Sequence, residues 1–240
     1  MAKCKKCGKK GLLLKLDANG LCADCAAAAS RQIHQMLAEQ DAQIAKLDED
    51  LAHQDKLLQS VLKAKEAYSA DGDIQKAIES FEGAIVKAEP PLLNAQAHTT
   101  FLIDLYKKSG QNDKAWRLLN DCIMDSEKYD GKTRLPLYKV RSEMAKMSKS
   151  EKRYTDAVEM YLLAFYHDAL SANADSAEYF EERFRKNIKP CLTKLKWDES
   201  VVSDIVSIAK STMAKEKNPF NGEVKIVEQY KAYLDENNLA

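Results

Sequence analysis

Along most of this chain the apolar residues recur at intervals of three and four, the spacing of one face of an α-helix. Only near the N-terminus does the pattern shorten, where Leu12 to Leu16 reads as a strand and Asp17-Ala-Asn-Gly20 as the turn that follows it. Between Gly20 and Gly72 there is neither Gly nor Pro. One helix is therefore predicted from about Ala23 to Ser69, on the order of 70 Å long at ~1.5 Å per residue. Its apolar positions form a heptad, with Leu37, Ile44, Leu51 and Leu58 at a and Ile33, Gln40, Leu47, Gln54 and Val61 at d. This is a coiled-coil seam weakened by two glutamines.

Farther along, Tyr179, Phe180, Phe184, Ile188, Cys191 and Leu195 keep helical spacing, as do Val201, Val202, Ile205, Ile208 and Ala209. A last helix is expected from Glu223 to Glu236, ahead of a polar tail. With eight Gly and five Pro in 240 residues, against abundant Ala, Leu, Lys and Glu, the chain predicts an all-α class.

The flanks of the long seam bear on what could cover it. Asp41, Asp48 and Asp55 fall at e and Asp50 at g. A parallel pair of copies would bring Asp50 near Asp55 of the other copy, and an antiparallel pair would also juxtapose acids without bases to offset them. A homodimer through residues 33–61, a basic partner helix and packing back on the same chain are the three readings of this pattern.

Charge as a whole gives little direction. Lys plus Arg number 37 and Asp plus Glu 37, so no global field draws the molecule to nucleic acid or to an anionic membrane. No apolar run approaches the roughly 18 residues of a membrane span, and the three leucines after the first lysines are too few for a secretory leader. The expectation is a cytoplasmic protein without membrane association. In a reducing compartment, paired Cys-x-x-Cys elements indicate metal ligands rather than disulfides. Cys122 and Cys191 stand apart in apolar helical patterns and read as small core residues.

Two such hooks, Cys4-Lys-Lys-Cys7 and Cys22-Ala-Asp-Cys25, are separated by 14 residues. Each can place two sulfurs on one tetrahedral ion about 2.3 Å away, which points to structural zinc held by Cys4, Cys7, Cys22 and Cys25. Gly8 suits a tight turn whose amides face the sulfurs, and Cys25 leads directly into Ala26 to Ala29, a helix start. A redox dithiol needs one hook rather than two, and an iron site of the rubredoxin kind is the other two-hook reading. Four cysteines close the coordination sphere and leave no position for water or substrate. His34, His53, His98 and His167 are scattered and suggest no second metal site. Strand, turn and helix-borne second hook together resemble a zinc-ribbon or treble-clef knuckle over about the first 30 residues.

Lys3, Lys5, Lys6, Lys9, Lys10 and Lys15 crowd the same segment. They supply the alternative reading, a nucleic-acid-associated factor that touches phosphates. The bland reading is that cations accompany a tetrathiolate site of formal charge about −2. From Met1 to Ala67 there is no Phe, Tyr or Trp for base stacking, and Arg31 is the sole arginine before Arg117.

The middle of the chain carries an internal repeat. Ala64, Tyr68, Gly72, Ala77, Phe81, Ala84 and Pro90 follow the order of a tetratricopeptide (TPR) repeat, and this segment resembles one. Tyr106, Gly110, Ala115, Leu119 and Cys122 form a second copy. In the third, Ala157, Tyr161 and Ala164 are kept while Ser148 and Lys152 stand where the aromatic and the glycine would be. Ala77, Ala115 and Ala157 lie 38 and 42 residues apart, against about 34 for the family, so the connecting segment Ser126–Pro136 should hold a helix extension and a loop. The resemblance, over roughly Leu58 to Leu170, implies a TPR-like α-solenoid behind the knuckle and its short β-hairpin. The expected organisation is a zinc module at 1–30, the long helix at 31–62, repeats at 63–170 and a degenerate pair with a capping helix at 171–240.

Such solenoids bind a protein or peptide along the first helix of each pair. Counting from the matched alanines places Gln59, Glu66, Thr100, Asp104, Lys107, Lys139, Ser142, Lys146 and Lys149 on that face, although a merely solvated face would look the same. The lysine and asparagine clamp by which some family members hold chaperone tails is matched by Lys139 alone, since Leu62, Glu66 and Phe101 occupy its other positions. Gly131-Lys132-Thr133 lacks the earlier glycine and preceding strand of a phosphate loop, and no nucleophile motif is found. The expectation is a non-enzymatic interaction scaffold.

Overall fold

The computed structural model describes residues 1–128, 133–171 and 177–239, with the side chain of Ala177 outside the description. Its order is β1 (Ala2–Lys3), β2 (Lys10–Gly11), α1 (Ala23–Asp71), α2 (Ile74–Ile85), α3 (Gln96–Lys108), α4 (Asn112–Lys128), α5 (Leu137–Ser150), α6 (Tyr154–Ser171), α7 (Ala177–Leu195), α8 (Ser200–Lys215) and α9 (Pro219–Glu236). Two compact units divide this chain, residues 1–56 and 57–240. No helix among the described residues is long and apolar enough to cross a membrane.

In the first unit β1 pairs antiparallel with β2, Ala2 opposite Gly11 and Lys3 opposite Lys10. The strand expected at Leu12–Leu16 is therefore displaced. Ladder pairing ends at Gly11, Leu12 and Leu13 form an exposed turn, and Leu16 keeps a single bridge to Cys22. The first hook, Cys4 to Cys7, thus lies in the turn between the two paired strands. The turn at Asp17–Gly20 forms as expected, with the Asp17 carboxylate accepting from the amides of Asn19 and Leu21. Helix α1 starts at Ala23; of its apolar seam Ile33, Leu37, Ile44, Leu47 and Leu51 are exposed, whereas Leu58 is half-buried and Val61 is in the core.

The second unit is built of helices that reverse at short turns. Gly72, Gly110 and Lys152, three positions aligned by the repeat, all take a left-handed backbone, with φ of 72°, 73° and 63°. At the last two of these turns the amide two positions past the C-cap residue bonds back to a carbonyl five residues earlier, Gln111 to Tyr106 and Arg153 to Ser148. This is the Schellman closure, in which glycine is favoured because other residues meet a Cβ penalty there. Lys196 and Asn238 end α7 and α9 in the same way.

Two apolar clusters fill the unit. The first gathers Val61 and Ala64 from α1, Ala77, Ile78 and Phe81 from α2, Leu102, Ile103 and Tyr106 from α3, Leu118, Leu119 and Cys122 from α4 and Val140 and Met144 from α5. Tyr68 packs against it, and its ring stands 5.6 Å from that of Phe101. The second cluster joins α6 to α7, α8 and α9 around Tyr161, Phe165, Ile188, Cys191, Ile205 and Tyr230. Helix α9 begins four residues earlier than expected because Asn218 caps it, its side chain accepting from the amides of Phe220 and Asn221, and Pro219 opens the first turn.

An ion pair lies inside the first half of this unit. Arg134 and Asp125 are nearly fully buried, with Nε 2.6 Å from Oδ2, and Arg134 also donates to the Ile85 carbonyl at 2.8 Å. Next to it, Thr99 donates to the Arg134 carbonyl and the Asn94 amide donates to that of Thr133. The segment after α4 is thereby pinned to the end of α2 and the start of α3. The helix extension expected beyond Ser126 is present through Lys128. Gly131 and Lys132 of the rejected phosphate-loop motif lie outside the described residues.

Arg134→Ala would leave Asp125 buried without its counter-charge and is expected to cost about 3–5 kcal/mol of unfolding free energy in urea. Adding Asp125→Ala should recover part of that loss, whereas simple additivity would contradict the pairing. Lys152→Gly removes the penalty of a left-handed side-chain-bearing residue. It should raise the stability by about 0.5–1 kcal/mol, read as a higher urea midpoint at unchanged slope.

Candidate metal centre and interaction face

The knuckle brings all four predicted ligands together. The sulfurs of Cys4, Cys7, Cys22 and Cys25 lie within 4.8 Å of one another, and none is in a disulfide. A tetrahedral ion with metal–sulfur bonds of about 2.3 Å requires sulfur–sulfur edges of about 3.8 Å. The Cys7 and Cys22 sulfurs are 3.8 Å apart. The donor set fits a metal ion.

Backbone geometry holds the sulfurs in place. Gly8 turns with φ of 72° and donates to the Cys4 carbonyl at 3.0 Å, while the Cys4 amide donates to the Lys9 carbonyl at 2.9 Å. Gly20, at φ of 79°, lets the Lys5 side chain approach where a Cβ would come within 2.8 Å of it. The Cys22 amide points at the Cys4 sulfur, 3.3 Å away. Amides of Cys7 and Cys22 lower the Cys4 thiol to about 6 against the opposing effect of burial. Cys25 moves the other way, up to about 12, because its hydrogen bonds to Cys7 and Cys22 and its burial favour the protonated form. Four sulfurs this close cannot all ionise unless a cation compensates them.

The residues expected along the first helices divide into three groups. Gln59 and Glu66 are exposed on α1. Asp104, Lys107 and Lys146 meet around Glu143, a buried acid that lay unnoticed in the helical pattern. Lys107 is 3.0 Å from Asp104 and 3.5 Å from Glu143, and Lys146 is 2.5 Å from Glu143. Thr100 donates to the Gln96 carbonyl of its own helix, Lys139 lies beside the Tyr138 ring, and Ser142 borders a small gap next to Tyr161 and Arg183. Lys149 is half-buried on α5. The signal that could have found Glu143 is its phase, since it shares the buried side of α5 with Val140, Met144 and Met147.

A second constellation also escaped sequence reasoning. Both carboxylate oxygens of Glu223 of α9 accept from one guanidinium edge of Arg141 of α5, its Nε and Nη2, and Oε1 lies 2.6 Å from Nε2 of His167 on α6. Burial would raise the Glu223 carboxyl, yet the hydrogen bonds from His167 and Arg141 hold it below the ordinary glutamate range. His167 also borders a cleft of about 1100 Å³, together with Asn94, Gln96, Thr133, Tyr138 and Asn218. The Glu223 carboxylate thus ties three helices together, through Arg141 of α5 and His167 of α6.

The molecule is thus a mostly helical protein with an N-terminal two-stranded hairpin and a four-cysteine cluster, drawn from that hairpin and from around the start of α1, that could hold a metal. Comparison with protein-family models, with curated proteins and with solved structures finds no match to this chain.

Elemental analysis of purified protein should give one tightly held metal ion per chain. Cys7→Ser or Cys25→Ser should lower that occupancy severalfold, whereas Cys122→Ser should leave it unchanged; metal-free wild-type protein with an ordered knuckle would contradict the assignment.

Proposed function

We propose that the protein is a non-enzymatic, zinc-binding scaffold that engages protein partners through a TPR-like groove, with the long helix α1 as a further contact surface. Zinc is favoured because four thiolates in a closed tetrahedron match its structural sites and leave no position for chemistry. A cytoplasmic setting, where thiols stay reduced, suits the same ligand set.

The observation that carries the groove reading is the linkage of the first helices into one row. Tyr68 of α1 meets Phe101 of α3, and Lys107 of α3 reaches Glu143 of α5. The matching left-handed turns at Gly72, Gly110 and Lys152 further support the TPR resemblance. On this reading Gln59, Glu66, Thr100 and Asp104 line an acidic-to-neutral end, and Lys139, Ser142, Lys146 and Lys149 a basic one. A partner segment would be expected to run with complementary charge along that row.

A second reading rests on Lys3, Lys5, Lys6, Lys9, Lys10 and Lys15, all exposed and in no ion pair among the described residues. On this alternative the knuckle touches nucleic-acid phosphates.

Affinity capture with the wild type and with a Glu66→Lys, Lys139→Glu, Lys149→Glu variant tests the groove. Partners retained by the wild type should be lost by the variant, and identical captures would remove the groove reading. Titration of a random DNA duplex at low salt decides the alternative: it requires binding that weakens steeply as salt is raised, and the groove reading requires none.

A further inference from the structure

Ile33, Met36, Leu37, Ile44, Leu47 and Leu51 are each more than half exposed along about 27 Å of α1. An apolar stripe of this length on one helix face is ordinarily covered in the working assembly. The sequence offers three readings of what covers this stripe, and the charges along its flanks discriminate between them.

A second copy is opposed by charge. In parallel register Asp50 would lie beside Asp55 of the other copy. In antiparallel register Ile44 would face Leu47 of the other copy, which sets Asp41 near that copy's Asp48 and repeats the clash by symmetry. Asp41, Asp48 and Asp55 recur at every seventh residue on one flank of the stripe, all exposed. None forms an ion pair among the described residues. This row of carboxylates is complementary to a row of bases with the same repeat.

We propose that α1 docks a basic amphipathic helix of another protein. The partner helix is about three heptads long, apolar at a and d, and carries Lys or Arg at the flanking positions that meet Asp41, Asp48 and Asp55. Gln40, in the middle of the stripe at a d position, selects a polar residue opposite it and so fixes the register. The inference deepens the scaffold reading, from which it takes α1 as a contact surface, and it specifies the chemistry of what binds there.

The test uses the full chain and two synthetic 21-residue helices with identical apolar a and d positions, one with Lys and one with Glu at e and g. Titration should show saturable one-to-one binding of the Lys peptide, at least about tenfold tighter than the Glu peptide and weakened by salt. The D41K/D48K/D55K variant should invert that preference. Ile44→Glu with Leu47→Glu should abolish binding while the helical circular dichroism persists. Equal affinity for the two peptides, binding of neither, binding that survives loss of the two apolar residues, or a chain that sediments as a dimer and excludes the peptide would each overturn the proposal. Lys139→Glu with Lys149→Glu should leave the Lys peptide's affinity unchanged. A failed peptide titration therefore leaves the groove reading standing, and unchanged captures by the groove variant leave the helix proposal standing.

Discussion

The second unit depends on one backbone constraint, the left-handed residue that lets a helix stop and the chain turn back within two or three positions. Once Gly72, Gly110 and Lys152 reverse the chain, alanines at positions 77, 115 and 157 all fall inside, and the aromatic residues ahead of the turns fill the space between helices. A helix without such a stop would run past its partner and expose half of its apolar face. The constraint is energetic rather than absolute, since lysine is tolerated where glycine is easier. Asn238 takes the same conformation at the end of α9 at lower cost, because asparagine enters the left-handed region more readily than most residues.

Inside the framework, charge is used to join helices that are distant in sequence. Arg134 with Asp125, Arg141 with Glu223, and Lys107 with Glu143 each span different elements or hold a connecting segment. A buried ion pair contributes little net stability relative to a well-packed apolar pair, yet it penalises every arrangement in which one partner is left alone. These pairs accordingly act on which packing is adopted more than on how stable it is. Glu82 shows the balance: burial would raise its carboxyl, and donors from Lys114, Tyr106 and Lys87 outweigh that effect and hold it low.

The sequence made the metal cluster legible because thiolate spacing is a local property, carried by Cys4, Cys7, Cys22 and Cys25 without reference to the remainder. The long helix could be read for a similar reason, the absence of Gly and Pro over some fifty residues. Three adjacent leucines mimic a buried run near Leu12, whereas Leu12 and Leu13 are exposed and the paired residues are Ala2–Lys3 and Lys10–Gly11. The start of α9 was missed because Phe220 and Asn221 break the apolar period, while Asn218 and Pro219 mark the start through capping chemistry. The partners Lys107 of Glu143 and Arg141 and His167 of Glu223 come from other helices, which spacing along one helix does not reveal, although the phase of Glu143 places it on the buried side of α5. The lysine at position 152 was read as a departure from the repeat, and its backbone shows that the turn geometry survives the change of side chain.

The two isolated cysteines have a practical consequence. Cys122 and Cys191 are wholly enclosed, and burial pushes the Cys122 thiol up to about 12 and that of Cys191 above its ordinary value. In native protein at neutral pH neither offers an accessible sulfur anion to an alkylating reagent. The number of sulfhydryls that such a reagent modifies before denaturation therefore reports on the N-terminal cluster alone, so a colorimetric assay on the folded molecule becomes a direct gauge of how fully that cluster is loaded.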